Sequence, residues 1–328
     1  MKLISFVLVL LVFVTAMIAS SRSIAAQDGA YRDMQAVLDA RASLKPKRIE
    51  TLSTAEAREQ PTPADAAKVV LKKMGKTTDP ETLIPSVKSV VCSIVSAAGQ
   101  IPAQVNTPRE FGPFPVIVFY HGGSCVIGDK QAYDGGALGL AKQAGAVVAS
   151  ADYRLAQDHK FPAEWEDTPA AHEWTLANAP SINEDPKKLS LAGESAGGNL
   201  SVATVIAVCD AGLQAPLHVL AVCPVSQTST TTESCEKHAN AKPLNRPMIN
   251  WFFDKLVSSP SDLKDPRFQL TDAKLQGLPP VTIINASTDL PLSDGSTLED
   301  ALKNAGVPVE PKMYQGVTHE FFGTTAVV

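Results

Sequence analysis

The sequence lacks the features that would assign it to several broad classes. No run of Lys and Arg occurs, and the net charge is mildly negative, at −5. Phosphate binding needs a basic footprint, so nucleic acid is not an expected partner. Close-spaced cysteine pairs are also missing. The five present (Cys92, Cys125, Cys209, Cys223 and Cys235) are odd in number and widely separated. That excludes a disulfide framework and a zinc site, leaving room for at most two disulfides. Most are expected to be small buried apolar residues. Internal repeats and low-complexity segments are absent. Beyond the first residues, no apolar run is long enough to span a bilayer.

Those first residues differ from the rest. Lys2 precedes an almost unbroken apolar run from Leu3 to Ala19, and Ser23, Ala25 and Ala26 offer a cleavage site. This layout predicts a signal peptide over residues 1–26 and an exported protein, periplasmic or secreted. An uncleaved membrane anchor is the alternative, because the run is near the lower limit for a span. With the leader cleaved, no stable membrane span is expected.

Residues 27–75 read as helical. Met34, Val37, Leu38 and Ala42 recur at helical spacing, as do Ala66, Val69, Val70 and Met74. Pro61 and Pro63 mark a loop between them. From about residue 87, short apolar strands alternate with helical patterns. The strands are Pro115–Tyr120, Ala146–Tyr153, Leu189–Ala192, Val219–Cys223, Val281–Ala286 and Val309–Tyr314. Helices are predicted near 136–144, 164–178, 197–210 and 294–305. Such alternation indicates an α/β fold with a mostly parallel sheet covered on both faces. Val87–Val95 and Ile101–Val105 would add an antiparallel hairpin at one edge.

Three motifs carry chemistry. G-E-S-A-G at 193–197 lies between a predicted strand and a predicted helix, the setting in which a strained turn lifts a serine hydroxyl clear of the backbone. Ser195 is therefore a candidate nucleophile. H-G-G at 121–123 follows another strand. Amides at Gly122 and Gly123, with that of Ala196, can stabilise an oxyanion. His319, in G-V-T-H-E-F-F, follows the last strand where a base belongs. Its acid should sit on the loop after the preceding strand. Asp289 fits there; Asp294 is the rival, and N-capping of the next helix accounts for it. Together these residues predict two-step acyl transfer with no metal or organic cofactor.

F-Y-H-G-G at 119–123, D-Y-R-L-A at 152–156, G-E-S-A-G-G-N at 193–199 and G-V-T-H-E-F-F-G at 316–323 closely resemble the hormone-sensitive-lipase-like branch of the α/β-hydrolases, the bacterial family IV esterases. The resemblance implies an eight-stranded α/β-hydrolase domain over 76–328. It also implies a helical cap from residues 27–75 and an insertion near 225–258. The implied activity is a carboxylesterase acting on small-molecule, short-chain acyl esters. A carbohydrate deacetylase, lactonase or amidase would use the same triad. A non-catalytic binding protein, like the plant gibberellin receptors, would lack His319. Asp289 falls where the family has its catalytic Asp.

The sequence also departs from the family pattern. Ser124 and Cys125 replace a third Gly and a Trp. Gln157 and Asp158 replace Pro-Glu, and Pro291 stands one place later than expected. Family members continue past the His into a final helix packed on the sheet, which is missing here. Reduced stability, or a covering partner such as a second copy in a homodimer, is the expected consequence.

Overall fold

The computed structural model describes residues 31–178, 184–324 and 326–327. The predicted leader lies outside them. Eight strands form one sheet in the order β1-β2-β4-β3-β5-β6-β7-β8. They are β1 (Val87–Ser96), β2 (Gly99–Pro108), β3 (Phe114–Tyr120), β4 (Val147–Ala151), β5 (Glu184–Glu194), β6 (Val219–Val222), β7 (Val281–Thr288) and β8 (Val309–Thr318). β1 pairs antiparallel with β2, and β2 antiparallel with β4; the remaining pairs are parallel. The expected edge hairpin is therefore present.

The central strands are apolar where helices cover both faces, β5 over Leu189–Ala192. Val118, Phe119 and Tyr120 of β3 and Leu191 of β5 are fully buried. The helix Ala196–Asp210 buries Leu200, Val202 and Val205. Each such side chain contributes about 1.5–3 kcal/mol relative to an exposed position. The chain runs from β3 outward to β4, then returns to β5 on the other side of β3. This reversal opens a crevice at the carboxyl ends of β3 and β5, the usual ligand site of such sheets. H-G-G follows β3 and Ser195 follows β5.

The N-terminal helices are Arg32–Ser43, Thr54–Arg58 and Pro63–Lys73. Pro63 is not in a loop: it opens the third helix at its first position, with Thr62 and Asp65 closing a capping box. A proline costs nothing there, because that N–H has no intrahelical partner. In the region of the expected insertion lie Glu233–Lys237 and Arg246–Leu256. Trp251 Nε1 donates to Leu52 O at 3.2 Å, joining the second helical region to the first. Arg58 binds the turn where the sequence departs from the family. It donates to Asp158 at 2.6 Å, and to the carbonyls of Ala156 and Val126 at 2.6 and 3.0 Å. After His319 the described residues form only the short 3₁₀ turn Phe322–Thr324.

Candidate active site

Ser195 stands between the end of β5 and the helix Ala196–Asp210, with φ 60° and ψ −118°. This backbone is sparsely populated for a residue with a Cβ and costs about 1–3 kcal/mol. Close packing enforces it. A Cβ on Gly193 would meet Gly197 O at 2.1 Å, and one on Gly197 would meet Tyr120 O at 1.9 Å. Both glycines are sterically required. Ser195 N donates to Val222 O at 2.8 Å, and Ser195 O accepts from Gly198 and Asn199 at 3.0 and 3.2 Å. The turn is thereby fixed from both sides. Its helix amino terminus favours negative charge nearby.

The three residues of the expected triad converge. His319 Nε2 is 2.9 Å from Ser195 Oγ, and His319 Nδ1 is 2.8 Å from Asp289 Oδ2. All three side chains are buried. Asp289 Oδ1 also accepts from Leu290 N at 2.8 Å, so the shifted Pro291 leaves the carboxylate aimed at the imidazole. Burial works against the charged imidazolium of His319. The carboxylate of Asp289 outweighs it through charge and hydrogen bonding, so the imidazole is held above its usual range.

Asp294 does something other than capping. Pro291 occupies the N-cap position, and Asp294 lies within the first turn of the helix Leu292–Asn304. It is buried, and its carboxylate accepts from Ser226 N at 3.2 Å. Burial raises its pKa to about 8. It ties the loop after β6 to this helix and makes no hydrogen bond to His319.

The H-G-G loop is held by the His121 side chain. Its Nδ1 donates to Gly122 O at 2.7 Å, and its ring stacks on Tyr153 at 4.3 Å. Tyr153 in turn donates to His121 O at 2.8 Å. Burial disfavours the charged ring and lowers the His121 pKa. A Cβ on Gly122 would meet the Tyr133 hydroxyl at 2.7 Å, and one on Gly123 would meet Ile127 O at 2.1 Å. Among the described residues, no acceptor is seated on the amides of Gly122, Gly123 or Ala196. Ser124, at the family's third glycine position, has φ 54°, and Cys125 has φ 60°. The loop thus keeps a glycine-like backbone without the glycine.

Several neighbours could not be read from spacing. Tyr133 donates to Glu320 at 2.7 Å, and Glu320, next to His319, has φ 64°. Glu194 is fully buried, and burial raises its pKa to about 8. Cys223 presents its sulfur within 4.8 Å of ligand atoms on Asp289 and His319. His319 Nδ1 and Asp289 Oδ2 are already hydrogen-bonded to each other. All five cysteines are free; Cys125, Cys223 and Cys235 are buried and the other two half-buried.

A cavity of about 250 Å³ opens onto Ser195 and His319. It is bordered by the N-terminal helices and by Leu244, Met248 and Phe252. A separate recess of about 30 Å³ lies beside Ser124 and Ala196, lined by Trp165, Phe253 and Phe268.

The chain is similar to known proteins over most of its length. Residues 117–323 match the model of an alpha/beta hydrolase fold family. The chain is 30% identical over 273 residues to carboxylesterase NlhH of Mycobacterium tuberculosis, covering 81% of this chain and 86% of that protein. An ethyl acetate hydrolase of Pseudomonas putida is 29% identical over 70% of this chain and 73% of its own length. Among solved structures, an esterase of Pyrobaculum calidifontis superposes with a TM-score of 0.78 at 30% identity, covering 88% of this chain and 92% of that one. A thermostable esterase of Pseudomonas putida superposes with a TM-score of 0.80 at 26% identity, covering 92% of each chain.

Proposed function

The chain belongs to the hormone-sensitive-lipase-like branch of the α/β-hydrolase fold and is a carboxylic ester hydrolase; from that premise we propose that Ser195, His319 and Asp289 form its catalytic triad. The observation that carries this reading is the unbroken pair of contacts, 2.9 Å from Ser195 to His319 and 2.8 Å from His319 to Asp289. His319 takes the hydroxyl proton as Ser195 Oγ attacks the ester carbonyl carbon. Asp289 holds the Nδ1–H tautomer and stabilises the imidazolium. Amides of Gly122, Gly123 and Ala196 receive the oxyanion, an interaction typically worth about 2.7–4 kcal/mol per donor. His319 then protonates the leaving alcohol. Water, activated by the same imidazole, releases the acid and restores Ser195.

The two cavities divide the substrate. The leaving oxygen must face His319, which lines the cavity of about 250 Å³; the alcohol portion belongs there. The acyl carbon chain points past Ala196 and Ser124 into the recess of about 30 Å³. It is much the smaller of the two spaces and is walled by Trp165, Phe253 and Phe268, which favours short acyl chains. The N-terminal helices and the 225–258 insertion act as the cap over this site. The apolar Leu3–Ala19 segment supports export.

Hydrolysis of a p-nitrophenyl acyl series by wild type and Ser195→Ala tests the reading. Rates should fall steeply beyond the shortest acyl chains, and Ser195→Ala should lose turnover. No hydrolysis by wild type, or full rate in Ser195→Ala, would refute it.

A further inference from the structure

Arg41 lies in the last turn of the helix Arg32–Ser43 and lines the same cavity as Ser195 and His319. Its Nε is buried with no acceptor. Among the described residues, no carboxylate comes within ion-pair distance of its guanidinium. The other charged groups of the cavity are engaged. Arg58 is held by Asp158, Ala156 and Val126. Glu320 accepts from the Tyr133 hydroxyl at 2.7 Å, and Asp129 accepts from Ala132 N at 2.7 Å. Glu50 borders a neighbouring cleft that Arg41 also reaches; Arg48 binds its Oε1 at 2.8 Å, its Oε2 is buried without a hydrogen bond, and Glu50 lies beyond ion-pair distance of Arg41. Arg41 is therefore a partly desolvated cation with an open fork, beside the nucleophile and base.

Desolvating a guanidinium without a partner is unfavourable, and a bound anion would offset that cost. The geometry also fixes which part of the substrate carries the anion. Arg41 shares the cavity of His319, which protonates the leaving group, and does not border the recess beside Ala196. Resting on the ester-hydrolase reading, we propose that Arg41 selects esters whose alcohol portion bears a carboxylate, such as short-chain acyl esters of hydroxy acids. The planar fork of Arg41 matches a carboxylate bidentately.

The nearly isosteric substrates 4-acetoxybenzoate and 4-acetoxybenzamide differ in this charge on the leaving group, and comparing their ratio between wild type and variant cancels their difference in leaving-group acidity. Wild type should favour the benzoate through KM, and the preference should shrink as salt screens the pair. Arg41→Gln should reduce the benzoate-to-benzamide ratio of kcat/KM roughly tenfold, with Arg41→Lys retaining part of it. Binding of 4-hydroxybenzoate to Ser195→Ala, measured calorimetrically, should weaken likewise when Arg41→Gln is added. That second readout needs no turnover, so it separates failure of this inference from failure of the triad. Equal ratios in wild type and Arg41→Gln, a parallel loss on both substrates, or a salt-independent wild-type ratio would overturn the proposal.

Discussion

Replacing Glu164 with Gln should make the protein more stable than wild type at alkaline pH and remove a pH dependence of stability. Glu164 is fully buried at the start of the helix Ala163–Asn178, and neither carboxylate oxygen has a well-formed hydrogen bond. Burial raises its pKa from 4.5 to about 8. The folded state therefore holds a proton that the unfolded chain has released. Stability is complete below the unfolded value and is lost progressively as pH rises toward the folded one. A shift from 4.5 to about 8 corresponds to a ceiling of about 5 kcal/mol. The Gln amide gives back roughly 1–3 kcal/mol if its donors find no partner, but that penalty is independent of pH. Urea unfolding midpoints of both proteins at pH 5, 6, 7 and 8 measure the difference. The gap between variant and wild type should move in the variant's favour by several kcal/mol across this range. A gap that stays constant with pH, or moves the other way, would refute the reasoning.

Four further outcomes follow from the site. Because His319 must be neutral to act as base and Asp289 holds its pKa above 6.5, the acid limb of kcat/KM should lie above pH 6.5. Asp289→Asn should lower kcat by orders of magnitude and move that limb toward acid, read from pH–rate profiles. Gly197→Ala drives a Cβ to within 1.9 Å of the Tyr120 carbonyl; loss of soluble folded protein, seen by circular dichroism and gel filtration, is expected. Ser124→Gly relieves a side chain at φ 54° and should stabilise by up to about 1 kcal/mol in denaturant titration, since left-handed backbone costs L-residues roughly that much.

Much of this fold was legible because buried parallel strands are spelled as continuous apolar runs. Pro115–Tyr120 and Val281–Ala286 reappear as β3 and β7 with ends displaced by no more than two residues. β5 was harder: it begins at Glu184, in polar sequence, because pairing with Phe114 of β3 extends it beyond its apolar core. β8 likewise continues past Tyr314 to Thr318, through exposed Gln315 and then buried Gly316, Val317 and Thr318, where polar residues and a glycine interrupt the apolar run. Asp294 misled because an acidic residue before Leu298 and Leu302 reads as a cap. Only the three-dimensional approach of Ser226 reveals a buried tether. Pro63 misled for the opposite reason, since a proline reads equally as loop or as first helical residue.

The positions of Ser195, Asp289 and His319 could be anticipated because the fold dictates their order along the strands. Their supports could not. Tyr133 reaches Glu320 across 187 positions of sequence, and Arg58 reaches Asp158 across 100. Arg41 looks like an ordinary basic residue ending a helix, a role that the dipole alone would explain. Its bordering of the catalytic cavity depends on how the N-terminal helices settle over the sheet.

The central claim is that Ser195 is the nucleophile. A fluorophosphonate that phosphonylates activated serines tests it directly, with peptide mass spectrometry locating the adduct. One equivalent should attach at Ser195, activity should fall in proportion to labelling, and His319→Ala should label far more slowly. Labelling at another residue, or full activity after stoichiometric modification of Ser195, would contradict the claim.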